Sequence, residues 1–251
     1  MSIRCDNCGR EYDVTLFPFG RTVQCDCGHV VTLSGVRTLR KEQAPTRMIL
    51  VRHGETDWTK EGRIQGQLPT HLNEQGRREA QLLAPRVVAE RPQNLYSSDL
   101  PRALETAQPI AEAAGLAIMS SDKLREAYFG LWEGKSFKDV QSGFPGEFDQ
   151  WVESDFHKAP PGGESAVELR ERIIAFLADV AENHANQTTV IVTHGGPCKY
   201  AVAHVLGISP TGVYRYAIDN SSITTIEIGV AGWRLVTLND TCHLREGGVM
   251  G

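Results

Sequence analysis

Hydrophobic and polar positions along this 251-residue chain change period several times, and each change predicts an element. Ile49, Leu50 and Val51 form an unbroken apolar run, which predicts a buried strand beginning near Met48. A second run, "TTVIVTHGG" from Thr188, predicts another. Between them the period lengthens. Asn73 precedes "EQGRREAQLLA" and is suited to cap a helix there, with Pro85 expected to end or kink it. "NLYSS" predicts a strand. "LPRALETAQPIAEAAG" predicts a helix, with Pro101 in its first turn and Gly115 at its end. In "ESAVELRERIIAFLADVAEN", Leu169, Ile173, Leu177 and Val180 share one helical face. "SSITTIEIG" and "GWRLVTLN" predict a closing hairpin. Strands alternating with helices imply the α/β class, a sheet covered on both faces.

The first segment follows a different pattern. Cys5 and Cys8, then Cys25 and Cys27, make two cysteine pairs separated by sixteen residues and each followed by glycine. Apolar residues at Tyr12, Val14, Val23, Val30 and Leu33 suit two short hairpins. Four thiolates on tight turns can close a tetrahedral shell around Zn²⁺. So small a module has little core, and metal would supply much of its folding energy. The segment resembles a zinc ribbon with structural zinc on Cys5, Cys8, Cys25 and Cys27. The second pair is C-x-C rather than C-x-x-C, which leaves His29 as an alternative ligand. Polar, proline-containing "RTLRKEQAPTR" then reads as a linker. The expected organisation is residues 1–36 as a zinc-ribbon-like module, 37–46 as linker and 47–251 as the main domain.

Charge narrows the partners. The chain carries a formal charge of −5, and residues 1–42 hold six basic against five acidic side chains, so nucleic acid is not an expected partner. No apolar run approaches the roughly 20 residues that span a bilayer. The N-terminus lacks the apolar core of an export signal. A cytoplasmic location without membrane contact is expected, with a protein partner for the N-terminal module left open.

The chemistry lies where strands end. "ILVRHG" and "VIVTHGG" both run from apolar strand into His-Gly, and "SSDLPRALETA" carries Arg102 onto a helix start. If these ends converge, Arg52, His53, Arg102 and His194 share one pocket. Guanidinium groups pair with phosphoryl oxygens, and a neutral imidazole can attack phosphorus. "LVRHGETDW", "SSDLPRALETA", "LREAYFGLWEG" and "VTHGGP", in this order, resemble the motifs of the histidine phosphatase superfamily, in its phosphoglycerate-mutase-like branch. The resemblance implies a three-layer α/β/α sandwich with a mostly parallel central sheet, beside the small β zinc ribbon.

It also implies roles. His53 would be the nucleophile that becomes phosphohistidine, and Glu126 the proton donor. Arg52 and Arg102 would clamp phosphoryl oxygens, and His194 would stabilise charge at the same phosphorus. Gly54, Gln65 and Gly195 would complete the binding site, with no cofactor in it. Where the family commonly has asparagine, this chain has Thr59, a shorter substrate ligand. The interval of 68 residues from Glu126 to His194 is short for a mutase. The expected activity is therefore hydrolysis of a small-molecule phosphomonoester. Mutase-type phosphoryl transfer and a non-catalytic phospho-ligand scaffold are the alternatives. Seven aromatics between Phe129 and Phe156 mark a lid, with one or two, Trp132 a candidate, expected to face the substrate.

Overall fold

The computed structural model describes residues 2–13, 22–32, 44–154, 156–229 and 232–246. Its contacts divide the chain into two compact units, Met1–Gln43 and Ala44–Gly251. In the first, β1 (Ser2–Arg4) pairs antiparallel with β2 (Glu11–Asp13), and β3 (Thr22–Gln24) with β4 (Val30–Thr32). Cys5, Cys25 and Val31 are buried together against Tyr12. Val14, Leu33 and most of the expected linker lie outside the described residues.

The second unit is built on β5 (Thr46–Arg52), β6 (Asn94–Ser98), β7 (Ile118–Ser121), β8 (Thr188–Thr193), β9 (Ile223–Gly229) and β10 (Gly232–Asp240). Among the described residues they form one sheet in the order β10-β9-β5-β8-β6-β7. β5, β8, β6 and β7 run parallel, and β9 and β10 close the sheet antiparallel. β5 starts at Thr46, two residues before its apolar run, because the backbone of Thr46 and Arg47 already pairs with β9.

Side chains alternate across a strand, so β5 serves two cores. Met48 and Leu50 face α6 (Ala166–Asn183) and α7 (Gly195–Leu206), packing with Leu169, Ile173, Leu177 and Ala201. Ile49 and Val51 face α2 (Glu74–Val88) and α3 (Pro101–Ala114), packing with Leu83, Val87, Ala103 and Ile110. This is a three-layer α/β/α architecture with a mostly parallel sheet.

The helix ends follow their sequence signals. Asn73 Oδ1 accepts from the Gly76 amide, and Ser165 and Glu168 form a reciprocal capping box. One expectation needs correction. Pro85 does not end α2, which runs on to Val88, because the proline sits close enough to the end to cost little of the ladder. After β10 the chain forms a short helix, α8 (Cys242–Glu246), with His243 and Leu244 buried.

Candidate active site

Adjacent parallel strands bring the two His-Gly sequences together. Arg52 of β5 is in register with Thr193 of β8, and the His53 amide extends the ladder by donating to the Thr193 carbonyl at 2.9 Å. Neighbouring strands stand about 4.8 Å apart. The next residues, His53 and His194, accordingly hold their ring centroids 5.1 Å apart. His53 is 2 % exposed and His194 is fully buried.

The turn after His53 is held from several sides. His53 Nδ1 lies 2.8 Å from the Gly54 carbonyl. A carbonyl only accepts, so Nδ1 carries the proton and Nε2 keeps a free lone pair. Asn220 Nδ2 donates to the carbonyls of both His53 and Gly54, at 2.9 and 3.1 Å. The Gly54 amide donates to Thr106 Oγ1 at 3.0 Å, and Thr106 donates to the Arg102 carbonyl. Glycine is required at position 54 because α2 passes behind it: a Cβ there would stand 2.7 Å from the Gly76 carbonyl oxygen.

His194 is oriented by Ser98 at the end of β6, whose Oγ is 2.8 Å from His194 Nε2. Its Nδ1 is buried and has no partner among the described residues. Burial, followed by the Arg102 and Arg52 charges, drives His53 well below the usual histidine range. Burial, Arg102 and His53 do the same for His194. Both rings are neutral at pH 7.

Arg102 is fully buried at the start of α3, and its guanidinium donates to the carbonyls of Gly66 and Leu68. Burial pushes it down to about 10, still a cation at neutral pH. Arg52 donates to the Ile218 carbonyl at 2.6 Å. Both arginines retain a buried Nε–H with no acceptor among the described residues. Glu126 arrives from the loop before a 3-10 turn at Gly130–Trp132, and one carboxylate oxygen accepts from the Gly196 amide at 3.1 Å, in the first turn of α7.

A cavity of about 610 Å³ is lined by Arg52, His53, Arg102, Glu126, Gln65 and Gly195. His194 stands against the His53 ring rather than on the cavity wall. Gln65 is clamped: its Oε1 accepts from Thr56 and Thr70 hydroxyls, which fixes the direction of its amide group. Thr59 also lines the cavity, but its hydroxyl donates to the Thr56 carbonyl and accepts from the Thr56 amide. Those bonds close a capping box on α1 (Asp57–Lys60), so that hydroxyl proton is committed to the backbone and not aimed at a ligand.

The lid aromatics, on and around α4 (Phe137–Gly143) and α5 (Pro145–Glu153), divide. Phe129, Phe137, Trp151 and Phe156 reach the cavity. Trp132 does not: it is fully buried beneath, its ring 5.4 Å from Trp151. Ser98, Thr106 and Asn220 were not singled out in the sequence. The first two sit within or beside "SSDLPRALETA", which was the available signal; Asn220 had none.

The profile of the Histidine phosphatase superfamily (branch 1) matches residues 48–241. Phosphoserine phosphatase 1 of Hydrogenobacter thermophilus is 36% identical over 200 residues, which is 80% of this chain and 95% of that protein. Metal-independent phosphoserine phosphatase of Arabidopsis thaliana is 32% identical over 215 residues, 84% of this chain and 89% of that protein. A solved phosphoserine phosphatase mutant from Entamoeba histolytica, in complex with phosphoserine, superposes with a TM-score of 0.72 at 30% identity, covering 79% of this chain and 99% of that one. Two neutral imidazoles beside the half-buried Arg52 and the buried Arg102, with those relatives, lead to one conclusion: the chain belongs to the histidine phosphatase superfamily, branch 1, as a phosphatase that hydrolyses phosphomonoesters through a phosphohistidine.

Proposed function

We propose that His53 carries the phosphoryl group and that the substrate is a small phosphomonoester of the phosphoserine kind. The observation that carries the assignment is the tautomer of His53, which leaves Nε2 as a bare lone pair on a neutral ring. Nε2 attacks phosphorus; the N–P bond forms as the ester P–O bond breaks. The leaving alkoxide takes a proton from the Glu126 carboxylic acid. Water then attacks phosphorus and gives a proton to the Glu126 carboxylate, the N–P bond breaks, and inorganic phosphate leaves.

The unpartnered N–H groups of Arg52 and Arg102 answer the phosphoryl charge without reorganisation, the usual source of such rate enhancement. Ser98, by donating to Nε2 of His194, would leave a proton on Nδ1 for a phosphoryl oxygen. Gln65 adds an amide donor. Names of the Hydrogenobacter, Arabidopsis and Entamoeba relatives support phosphoserine as the substrate type. Rapid acid-free quench with ³²P-phosphoserine should trap an acid-labile, base-stable phosphoprotein in wild type and none in His53→Ala. Label retained at another residue in His53→Ala would refute the assignment.

The four N-terminal cysteines form a second site, for structural zinc. All four Sγ atoms lie within 4.8 Å of one another, with Cys5–Cys27 at 3.8 Å and Cys8–Cys25 at 3.4 Å. Zinc–sulfur bonds of about 2.3 Å in a tetrahedron put sulfurs roughly 3.8 Å apart. This fit favours Cys27 over His29 as the fourth ligand.

A further inference from the structure

We propose that Lys199 anchors a second anionic group on the substrate, a carboxylate separated from the phosphate by a two- or three-carbon chain. The proposal rests on the phosphatase reading above and names which esters the cavity selects.

Charged side chains lining the cavity mostly have partners of their own. Arg63 pairs with Glu61, Glu164 with Arg172, and Asp219 accepts from Asn239. Lys199 differs. It is half-buried on the same wall, and among the described residues its ammonium has no hydrogen-bond acceptor, only the face of Tyr214 at 5.0 Å. A cation over a ring keeps its N–H donors on the other side free, so it is poised and unspent.

Position sets the reach. Lys199 follows Gly195 by four residues on α7 and therefore stands on the same face, about 6 Å further along the axis. Gly195 itself borders Arg52: a Cβ there would be 3.5 Å from Arg52 Nε. Helical side chains lean toward the N-terminus, which directs Lys199 back toward the phosphoryl clamp. Burial and then the Arg52 charge lower Lys199 from the usual lysine range, which agrees with two cations converging on one cavity. An ester with a phosphate alone would leave this second cation unanswered. One with a terminal carboxylate answers both, through a charge-assisted hydrogen bond.

O-Phosphoserine and O-phosphoethanolamine differ only in the carboxylate, so the ratio of their kcat/KM values reads this contact. Wild type should favour phosphoserine by about tenfold or more, mainly through KM. Lys199→Met should bring the ratio to within about twofold of unity, and Lys199→Arg should keep most of it. A ratio that survives Lys199→Met overturns the proposal. So does a wild type without preference that still hydrolyses p-nitrophenyl phosphate. A wild type inert toward every ester, p-nitrophenyl phosphate included, overturns the phosphatase reading and this inference with it.

Discussion

Gly54→Ala tests the physical basis of the site most directly. The new Cβ would stand 2.7 Å from the Gly76 carbonyl oxygen and 3.1 Å from its Cα, where ordinary contact begins near 3.4 Å. Both partners are backbone, so no flexible side chain can yield. The His53 turn and α2 must part by about 0.7 Å at the shortest contact. Overpacking of this kind costs about 1–3 kcal/mol. The same movement drags the Gly54 carbonyl, which holds the His53 ring at 2.8 Å. A sub-ångström shift of a nucleophile should lower kcat by roughly tenfold to a hundredfold. Urea denaturation and steady-state hydrolysis of p-nitrophenyl phosphate measure the two effects. Gly143→Ala is the control, since nothing lies within 4 Å of its Cβ position. Wild-type stability together with turnover within about twofold of wild type in Gly54→Ala would show that the close pass does not position His53.

Three further outcomes are expected. Ser98→Ala removes the partner of a buried imidazole nitrogen, so stability should fall by about 1–3 kcal/mol and kcat should fall with it; an unchanged kcat would remove Ser98 from the mechanism. The native pKa values of His53 and His194 are depressed, so between about pH 6.5 and those lower values the unfolded chain binds protons that the native rings refuse. Stability is therefore full above about pH 6.5 and falls with acid by up to about 1.4 kcal/mol per pH unit for each ring; His194→Gln should flatten the wild-type slope measured by urea denaturation, and identical slopes would contradict neutral buried rings. Purified protein should hold about one zinc per chain by metal analysis and lose it in Cys5→Ser, while chelation leaves p-nitrophenyl phosphate turnover intact; zinc retained in Cys5→Ser would exclude that ligand set.

The sheet was readable because its central strands are buried on both faces and so appear as unbroken apolar runs at Ile49–Val51 and Val190–Val192. β7 left no such trace: at the sheet edge, Ile118–Ser121 contains polar and exposed positions. His53, Arg102, Glu126 and His194 stood out through strand ends and ordered motifs. Their supports did not, because a hydrogen bond such as Ser98 to His194 joins residues 96 apart, and Asn220 reaches back 167 to His53. Thr59 shows the opposite case. Its local pairing with Thr56 at a helix start outweighs the ligand role that alignment to a motif suggested. Trp132 likewise follows its size into the core rather than the cavity.

The separation of the two imidazoles is written in the pairing of β5 with β8, and no described residue between Phe129 and Phe156 contributes to that ladder. The spacing of the reacting rings and the aromatic part of the cavity wall are therefore carried on separate pieces of the chain. The aromatic wall can change without disturbing how phosphorus is handled.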